Sequence, residues 1–308
     1  MKRIVVGTRK SPLALTQTEW VIERLKEHHP GLEVGMEKIV TKGDRILDVT
    51  LSKVGGKGLF IKEIEQAMYD KQIDFAVHSL KDMPTEMPDG LMLAAITERE
   101  DPRDVVITRN GGTFSDLPIG AKVGTSSLRR AAQLCHARPD IKIVSVRGNI
   151  NTRLAKLEEL ELDAIVLAAA GLERMGWADK ISERLAPELC IPAVGQGALA
   201  IQCRSDDQEI REILSVLDNE QTRRIVTAER TVLGQLNGGC QIPIGAYAET
   251  VDGELKLTGI VGSADGLTLL KETATGTDPV ALGQAVAERL IEKGAGEILE
   301  KVREEINQ

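Results

Sequence analysis

Short apolar runs of strand length alternate with amphipathic segments of helix length through the first two hundred residues. That alternation limits the fold more than any other feature. Residues 3–9 (RIVVGTR), 32–41, 74–80 and 91–97 read as strands, and so do 104–108, 121–125, 141–147 and 163–169. Helices fit at 12–28, 59–71, 127–137 and 149–160. Strand alternating with helix implies α/β layers with parallel sheets and right-handed crossovers.

Two of the helix starts echo each other. Val6-Gly7-Thr8-Arg9-Lys10-Ser11 parallels Val123-Gly124-Thr125-Ser126-Ser127. Each runs from a strand through Gly-Thr to a Ser that can cap the next helix, and Pro12 suits the first helical position. Such a turn directs backbone N–H groups and hydroxyls to the positive end of a helix, which suits a carboxylate or phosphate. Coincidence is the competing reading, because Gly-Thr-Ser is common in turns.

The polar segment EREDPRD at 98–104 reads as a crossing between domains, and PAVGQGALAIQCR at 192–204 as the return. Helices fit at 207–217 and 219–236. Residues 244–274 then alternate, with Asp252-Gly253 and Asp265-Gly266 as hairpin turns, before two last helices at 279–292 and 295–306. This tail reads as a small α+β domain, a three-stranded antiparallel sheet with helices on one face. The expected domains are 1–98 with 197–218, then 103–192, then 219–308.

Charge is distributed unevenly. The chain carries a formal net charge of −8, yet Lys122 to Arg153 holds seven Lys or Arg and one acid, Asp140. A solvated basic helix face would explain a charge run. Here, however, Arg129 and Arg130 lie in a first helical turn, Arg147 ends a strand and Arg153 opens the next helix, where α/β proteins bind ligands. The pattern points to an anion. Aromatics at 2% leave little to stack bases on, and the acidic balance disfavours nucleic acid or membrane surfaces. No run is apolar and long enough to span a bilayer, and the start is too short in apolar residues for a signal peptide, so the expectation is a cytoplasmic protein. Cys135, Cys190, Cys203 and Cys240 show no CxxC spacing, and no HExxH occurs, so no metal site is expected.

Three local features carry two readings each. The segment 42–58 (KGDRILDVTLSKVGGKG) is either a flexible lid or an ordinary surface loop, and it does not match a P-loop. Asp82, just past strand 74–80, is either a turn residue before Pro84 or a carboxylate placed for chemistry. Cys240 follows Gly238 and Gly239 and is either an inert loop thiol or a nucleophile or covalent anchor; His78 is the one histidine ending a strand that could partner it. The other three cysteines read as small buried residues.

Six motifs in order resolve these alternatives: GTRKSPLA at the start, HSLKDMP at 78–84, VGTSSLRRAAQL at 123–134, VRGNINTRLAKL at 146–157, PAVGQGALAIQCR at 192–204 and LNGGCQIPIGAYA at 236–248. Along essentially its whole length the chain resembles the porphobilinogen deaminase (hydroxymethylbilane synthase) family. The resemblance implies two periplasmic-binding-protein-like (type II) α/β domains with a hinge, plus a small α+β C-terminal domain. It implies a monomer that condenses four porphobilinogen molecules head to tail with loss of ammonia, giving the linear tetrapyrrole hydroxymethylbilane for haem biosynthesis. It implies a dipyrromethane cofactor on Cys240 through a thioether, and Asp82 as the catalytic carboxylate. By the same resemblance Arg9, Ser11, Lys81, Asp82, Thr125, Ser127, Arg129, Arg130 and Arg147 hold the cofactor. Arg9, Ser126, Arg147, Arg153 and Arg174 hold substrate, and Lys53 and Phe60 flank the lid. A non-catalytic two-domain anion binder and a thiol hydrolase using Cys240 are the rival readings.

Overall fold

The computed structural model describes residues 3–45, 61–239 and 242–307. Lys53, Phe60 and Cys240, to which roles were assigned above, lie outside the described residues, as does most of segment 42–58. In chain order the first elements are β1 (Arg3–Arg9), α1 (Pro12–His28), β2 (Glu33–Ile39), α2 (Lys42–Arg45), α3 (Lys62–Tyr69), β3 (Phe75–Ser79) and β4 (Leu91–Ile96). Then come β5 (Asp104–Thr108), β6 (Lys122–Gly124), α4 (Leu128–Ala137), β7 (Lys142–Val144), α5 (Ile150–Glu159), β8 (Ala164–Ala168), α6 (Ala169–Arg174) and β9 (Glu183–Arg184). The chain continues through β10 (Leu199–Arg204), α7 (Gln208–Ser215), α8 (Glu220–Gln235), β11 (Ile244–Val251), β12 (Glu254–Gly262), β13 (Leu269–Gly276), α9 (Pro279–Glu292) and α10 (Ala295–Asn307).

Two compact units result. Among the described residues, the first takes those up to Glu100 together with Ala198–Arg223, and the second takes Asp101–Gly197 and everything from Arg224 on. The first unit holds a sheet in the order β2-β1-β3-β10-β4, and the second a sheet in the order β7-β6-β8-β5-β9. In each, the first three strands are parallel and the fourth runs antiparallel to both neighbours. The expectation of parallel sheets is therefore corrected to mixed ones. The fourth strand does not follow a helical crossover within its own sheet. It enters directly from a crossing segment, β5 from the outward one and β10 from the return, so no βαβ geometry dictates its direction.

The echo in the sequence has a structural counterpart. β1 and β6 hold the same place in their sheets. Ser11 caps α1 by accepting from Ala14 N, and Ser127 caps α4 by accepting from Arg130 N. Gly7 and Gly124 leave room for the residue two positions before the third strand. A Cβ on Gly7 would meet Ile73 Cδ1 at 2.4 Å, and one on Gly124 would meet Leu162 Cδ1 at 2.7 Å. Asp74 and Asp163 then bracket the same strand position. Each accepts from a strand backbone N–H at 2.8 Å, that of Val5 and that of Lys122 respectively.

Burial follows the strand period. In β5, Val106 packs with Val123, Leu134 and Val166 on one face, and Val105 packs with Ile165, Leu167 and Leu172 on the other. The first unit buries Ile4, Val6, Leu25, Phe75 and Ile201 together. In the C-terminal part, β11-β12-β13 form an antiparallel sheet. Ala246, Leu255 and Leu257 on one face pack with Val232, Val286, Leu290 and Leu299 of the helices. The turn Asp252-Gly253 has φ of 51° and 84°, the left-handed pair that a tight two-residue hairpin needs. No helix among the described residues is long and apolar enough to cross a membrane.

Candidate active site

In the second unit the β6–α4 turn is tied to the end of β7. Thr125 N donates to Val144 O at 2.9 Å, and Ser126 Oγ donates to Val146 O at 2.6 Å and meets Ser145 Oγ at 2.9 Å. Ser127 N donates to Thr125 Oγ1 at 3.2 Å. These bonds hold two helix starts side by side, because Asn149 caps α5 by accepting from Thr152 N at 3.0 Å. Gly148 between them has φ 109°, and a Cβ there would lie 2.7 Å from the Thr152 side chain. Arg153 Nε donates back to Gly148 O at 2.8 Å. Thr125, Ser126, Ser127, Arg147 and Arg153 therefore gather at the adjacent carboxyl ends of two parallel strands, where the sequence reading put them.

Arg147 stands apart in this group. Its Nη1 is buried and has no hydrogen-bond partner among the described residues. Burial pushes the guanidinium pKa down, since nothing offsets the lost hydration. A buried donor without an acceptor is unfavourable and marks a place where an anion is expected.

Arg129 and Arg130 have a different environment. Both are nearly buried, at 5% and 6% exposure, and both are paired with Asp104, which is fully buried at 0%. Arg129 Nη1 donates to Asp104 Oδ2 at 2.7 Å and to Ile191 O at 2.5 Å. Arg130 donates to Asp104 Oδ1 from Nε at 3.0 Å and from Nη2 at 2.7 Å, and to Val166 O from Nη1 at 3.0 Å. Gln196 Nε2 also donates to Asp104 Oδ1, at 2.9 Å. Burial alone would raise the Asp104 pKa, but the two guanidinium charges and their hydrogen bonds hold the carboxyl far below the usual range. Sequence reasoning found both arginines and missed Asp104 and Gln196. The available signal was an acid opening the otherwise apolar strand DVVIT.

Arg174, at the end of α6, donates from Nη2 to Gly197 O at 2.6 Å, which ties it to the return segment. That segment is also held by buried Glu229 of α8, whose carboxylate accepts from Gly195 N at 2.8 Å and Ala248 N at 2.9 Å. Further along, α8 ends in a tight stop before Cys240. Asn237 has φ 49°, and Gly238 N donates to Leu233 O at 2.7 Å, an approach that a Cβ on Gly238 would block. Arg303 Nη2 of α10 donates to the carbonyls of Leu236 and Asn237, each at 3.3 Å, and holds this stem from the other side. Of the remaining cysteines, Cys190 and Cys203 are buried as expected, whereas Cys135 is only partly buried. Burial pushes the Cys190 thiol up to about 12, Cys203 up to about 11, and Cys135 upward as well.

In the first unit, β1 ends at Arg9, and Ser11 begins α1. Beside it, β3 runs into a 3-10 turn, Leu80–Asp82, that carries Lys81 and Asp82. Because β1 and β3 are parallel neighbours, all four residues sit at carboxyl ends of adjoining strands. His78 lies deeper. It is buried, with Nε2 against Gln202 Oε1 at 3.0 Å, and burial depresses its pKa to about 4 despite that hydrogen bond. A neutral, occupied imidazole of this kind offers no support for a Cys–His hydrolase. Among the described residues no cluster suited to a metal ion occurs.

Residues 4–212 match the family model described as porphobilinogen deaminase, dipyromethane cofactor binding domain, and residues 224–292 match that of its C-terminal domain. The chain is 59% identical over 304 residues to the porphobilinogen deaminase of Brevibacillus brevis, covering 98% of each. It is 53% identical over 311 residues to that of Bacillus subtilis, covering 100% of this chain and 99% of the relative. Among solved structures it is similar to the methionine-binding protein MetQ, with a TM-score of 0.43 and 13% identity over 72% of this chain and 92% of that one.

The second unit fits the group that the first family model names. A dipyrromethane built from two porphobilinogen units carries acetate and propionate side chains, and a carboxylate is the acceptor that the buried Arg147 Nη1 lacks. With family models matching residues 4–212 and 224–292 and relatives aligned along nearly the full length of the chain, this protein belongs to the porphobilinogen deaminase family.

Proposed function

We propose that the chain works with its dipyrromethane tethered to Cys240 by a thioether, and that Asp82 is the catalytic carboxylate. As a porphobilinogen deaminase it condenses porphobilinogen units with loss of ammonia and forms hydroxymethylbilane in tetrapyrrole biosynthesis. When bound, the dipyrromethane supplies the pyrrole carbon to which the first unit is joined. In this reading Arg9, Ser11, Lys81, Thr125, Ser127, Arg129, Arg130 and Arg147 hold its carboxylates. Arg9, Ser126, Arg147, Arg153 and Arg174 hold those of incoming porphobilinogen. Arginine suits this work because its planar fork pairs with a carboxylate at two points and keeps its charge when desolvated.

Asp82 acts on the cation that porphobilinogen becomes as ammonia leaves. Its carboxylate faces the pyrrole N–H and stabilises the positive charge, and it accepts or returns the proton there. Lys53 and Phe60 belong to a lid in this reading. The protein acts as a monomer in the cytoplasm, and its domains are 1–98 with 197–218, 103–192 and 219–308.

The observation that carries the reading is Arg147, whose buried Nη1 has no acceptor among the described residues, at the carboxyl end of a strand beside the Thr125–Ser127 helix start. Intact mass tests the tether. The purified protein is expected to exceed its sequence mass by one dipyrromethane, and Cys240→Ser to lack that increment. An increment that persists in Cys240→Ser would place the attachment elsewhere. No increment, even after incubation with porphobilinogen, would favour a non-catalytic anion binder.

A further inference from the structure

The two units share one frame but differ at a single buried spot. Counting from the capping serines, Arg129 and Arg130 occupy the positions that Leu13 and Ala14 occupy after Ser11. Asp104 opens the fourth strand of its sheet opposite Ala168, just as Leu199 opens the fourth strand of the other sheet opposite Ser79. Leu199 is fully buried, as Asp104 is. The same construction therefore stands with an apolar residue where the second unit keeps a carboxylate between two guanidinium groups. Buried ion clusters bring little net stability compared with well-packed apolar replacements. Folding alone does not account for the charges.

The hydrogen bonds indicate what the charges do. Arg129 directs both Nη1 hydrogens inward, to Asp104 and to Ile191 O. Among the described residues nothing accepts from its Nε or Nη2, the edge of the guanidinium that pairs with a carboxylate at two points. Arg130 gives Asp104 its Nε and one Nη2 hydrogen and gives Val166 O one Nη1 hydrogen, which leaves one N–H on each terminal nitrogen. Two cations over one anion leave a single net positive charge, matched to one incoming carboxylate. Gln196 fixes the remaining side of Asp104, donating to Oδ1 at 2.9 Å and to Pro102 O at 2.7 Å.

We propose that Asp104 is a positioning residue for the deaminase reaction: it takes up the inward donors of Arg129 and Arg130 and so aims their remaining N–H groups at a ligand carboxylate. This rests on the reading that these arginines bind carboxylates. The test compares kcat and KM of purified holoenzyme with those of Asp104→Asn, Asp104→Glu and Arg129→Gln, alongside thermal unfolding. Misaimed groups in a site of this kind cost about a hundredfold. Asp104→Asn is expected to lose about that much in kcat/KM, with KM raised. Asp104→Glu keeps the charge but moves the oxygens, and is expected to recover thermal stability without recovering kcat/KM. If Asp104→Asn does not fold, Asp104→Glu alone decides. Wild-type kcat and KM in folded Asp104→Glu, with Arg129→Gln impaired, would overturn the proposal and leave the arginine reading standing. Wild-type kinetics in Arg129→Gln would overturn the arginine reading and the proposal with it.

Discussion

The first and second units solve one folding problem and carry different chemistry. Both stack three parallel strands and a reversed fourth, both cap the helix after the second strand in sheet order with serine, and both use a glycine to admit Ile73 or Leu162. The first unit fills the space around its fourth strand with Leu199 and a neutral His78–Gln202 pair. The second fills it with Asp104, Arg129 and Arg130. Since the apolar version folds, the fold alone does not require the charged version, which is the basis for proposing that it serves a ligand. The comparison separates residues that build the shared frame from residues proposed to serve the ligand.

The largest effect is expected at Asp82 of the first unit, the proposed catalytic carboxylate. Asp82→Asn should lower turnover by about two to three orders of magnitude, the usual scale for losing an oriented electrostatic group, and leave the thermal midpoint unchanged. Near-normal hydroxymethylbilane formation would remove Asp82 from the mechanism. Next in size is a difference in acid response. His78 titrates at about 4 when folded, below an ordinary value near 6.5, because burial disfavours its charged form. The unfolded chain therefore binds this proton first, and stability contributed at neutral pH is lost as pH falls from about 6.5 to 4, on the order of 2–3 kcal/mol. The Asp104 cluster responds in the same direction but at lower pH. Its depressed pKa keeps the carboxylate charged through that window, so its contribution is lost only at pH below the ordinary carboxylate range. Urea unfolding between pH 7 and 4 checks this: His78→Gln should flatten the loss, and an unchanged slope would contradict the assignment.

Much of this frame was legible in the sequence. The strands at 3–9 and 104–108 and the helix at 279–292 have the bounds their periodicity predicts, because local pattern and capping agree there. Strand direction was not legible. β3 and β10 pair across more than a hundred residues of sequence, and no local signal records which way a returning strand runs. Arg129 and Arg130 were recognised as a first-turn pair, yet their burial was invisible, since an arginine in a sequence reads as exposed until its counterion is known. That counterion, Asp104, looked like the last acid of a polar crossing segment. Glu229 and Gln196 escaped notice for the same reason: each is a polar residue defined by distant backbone partners.

Arg147 gives the most direct test of the central claim that the guanidinium groups of the second unit serve a carboxylate ligand and not the fold. Its buried Nη1 has no partner among the described residues, so removing it forfeits no hydrogen bond of the protein itself. Thermal unfolding and steady-state kinetics of Arg147→Leu should together show a midpoint equal to or above wild type and a kcat/KM at least about tenfold lower. A lowered midpoint with wild-type kcat/KM would contradict the account.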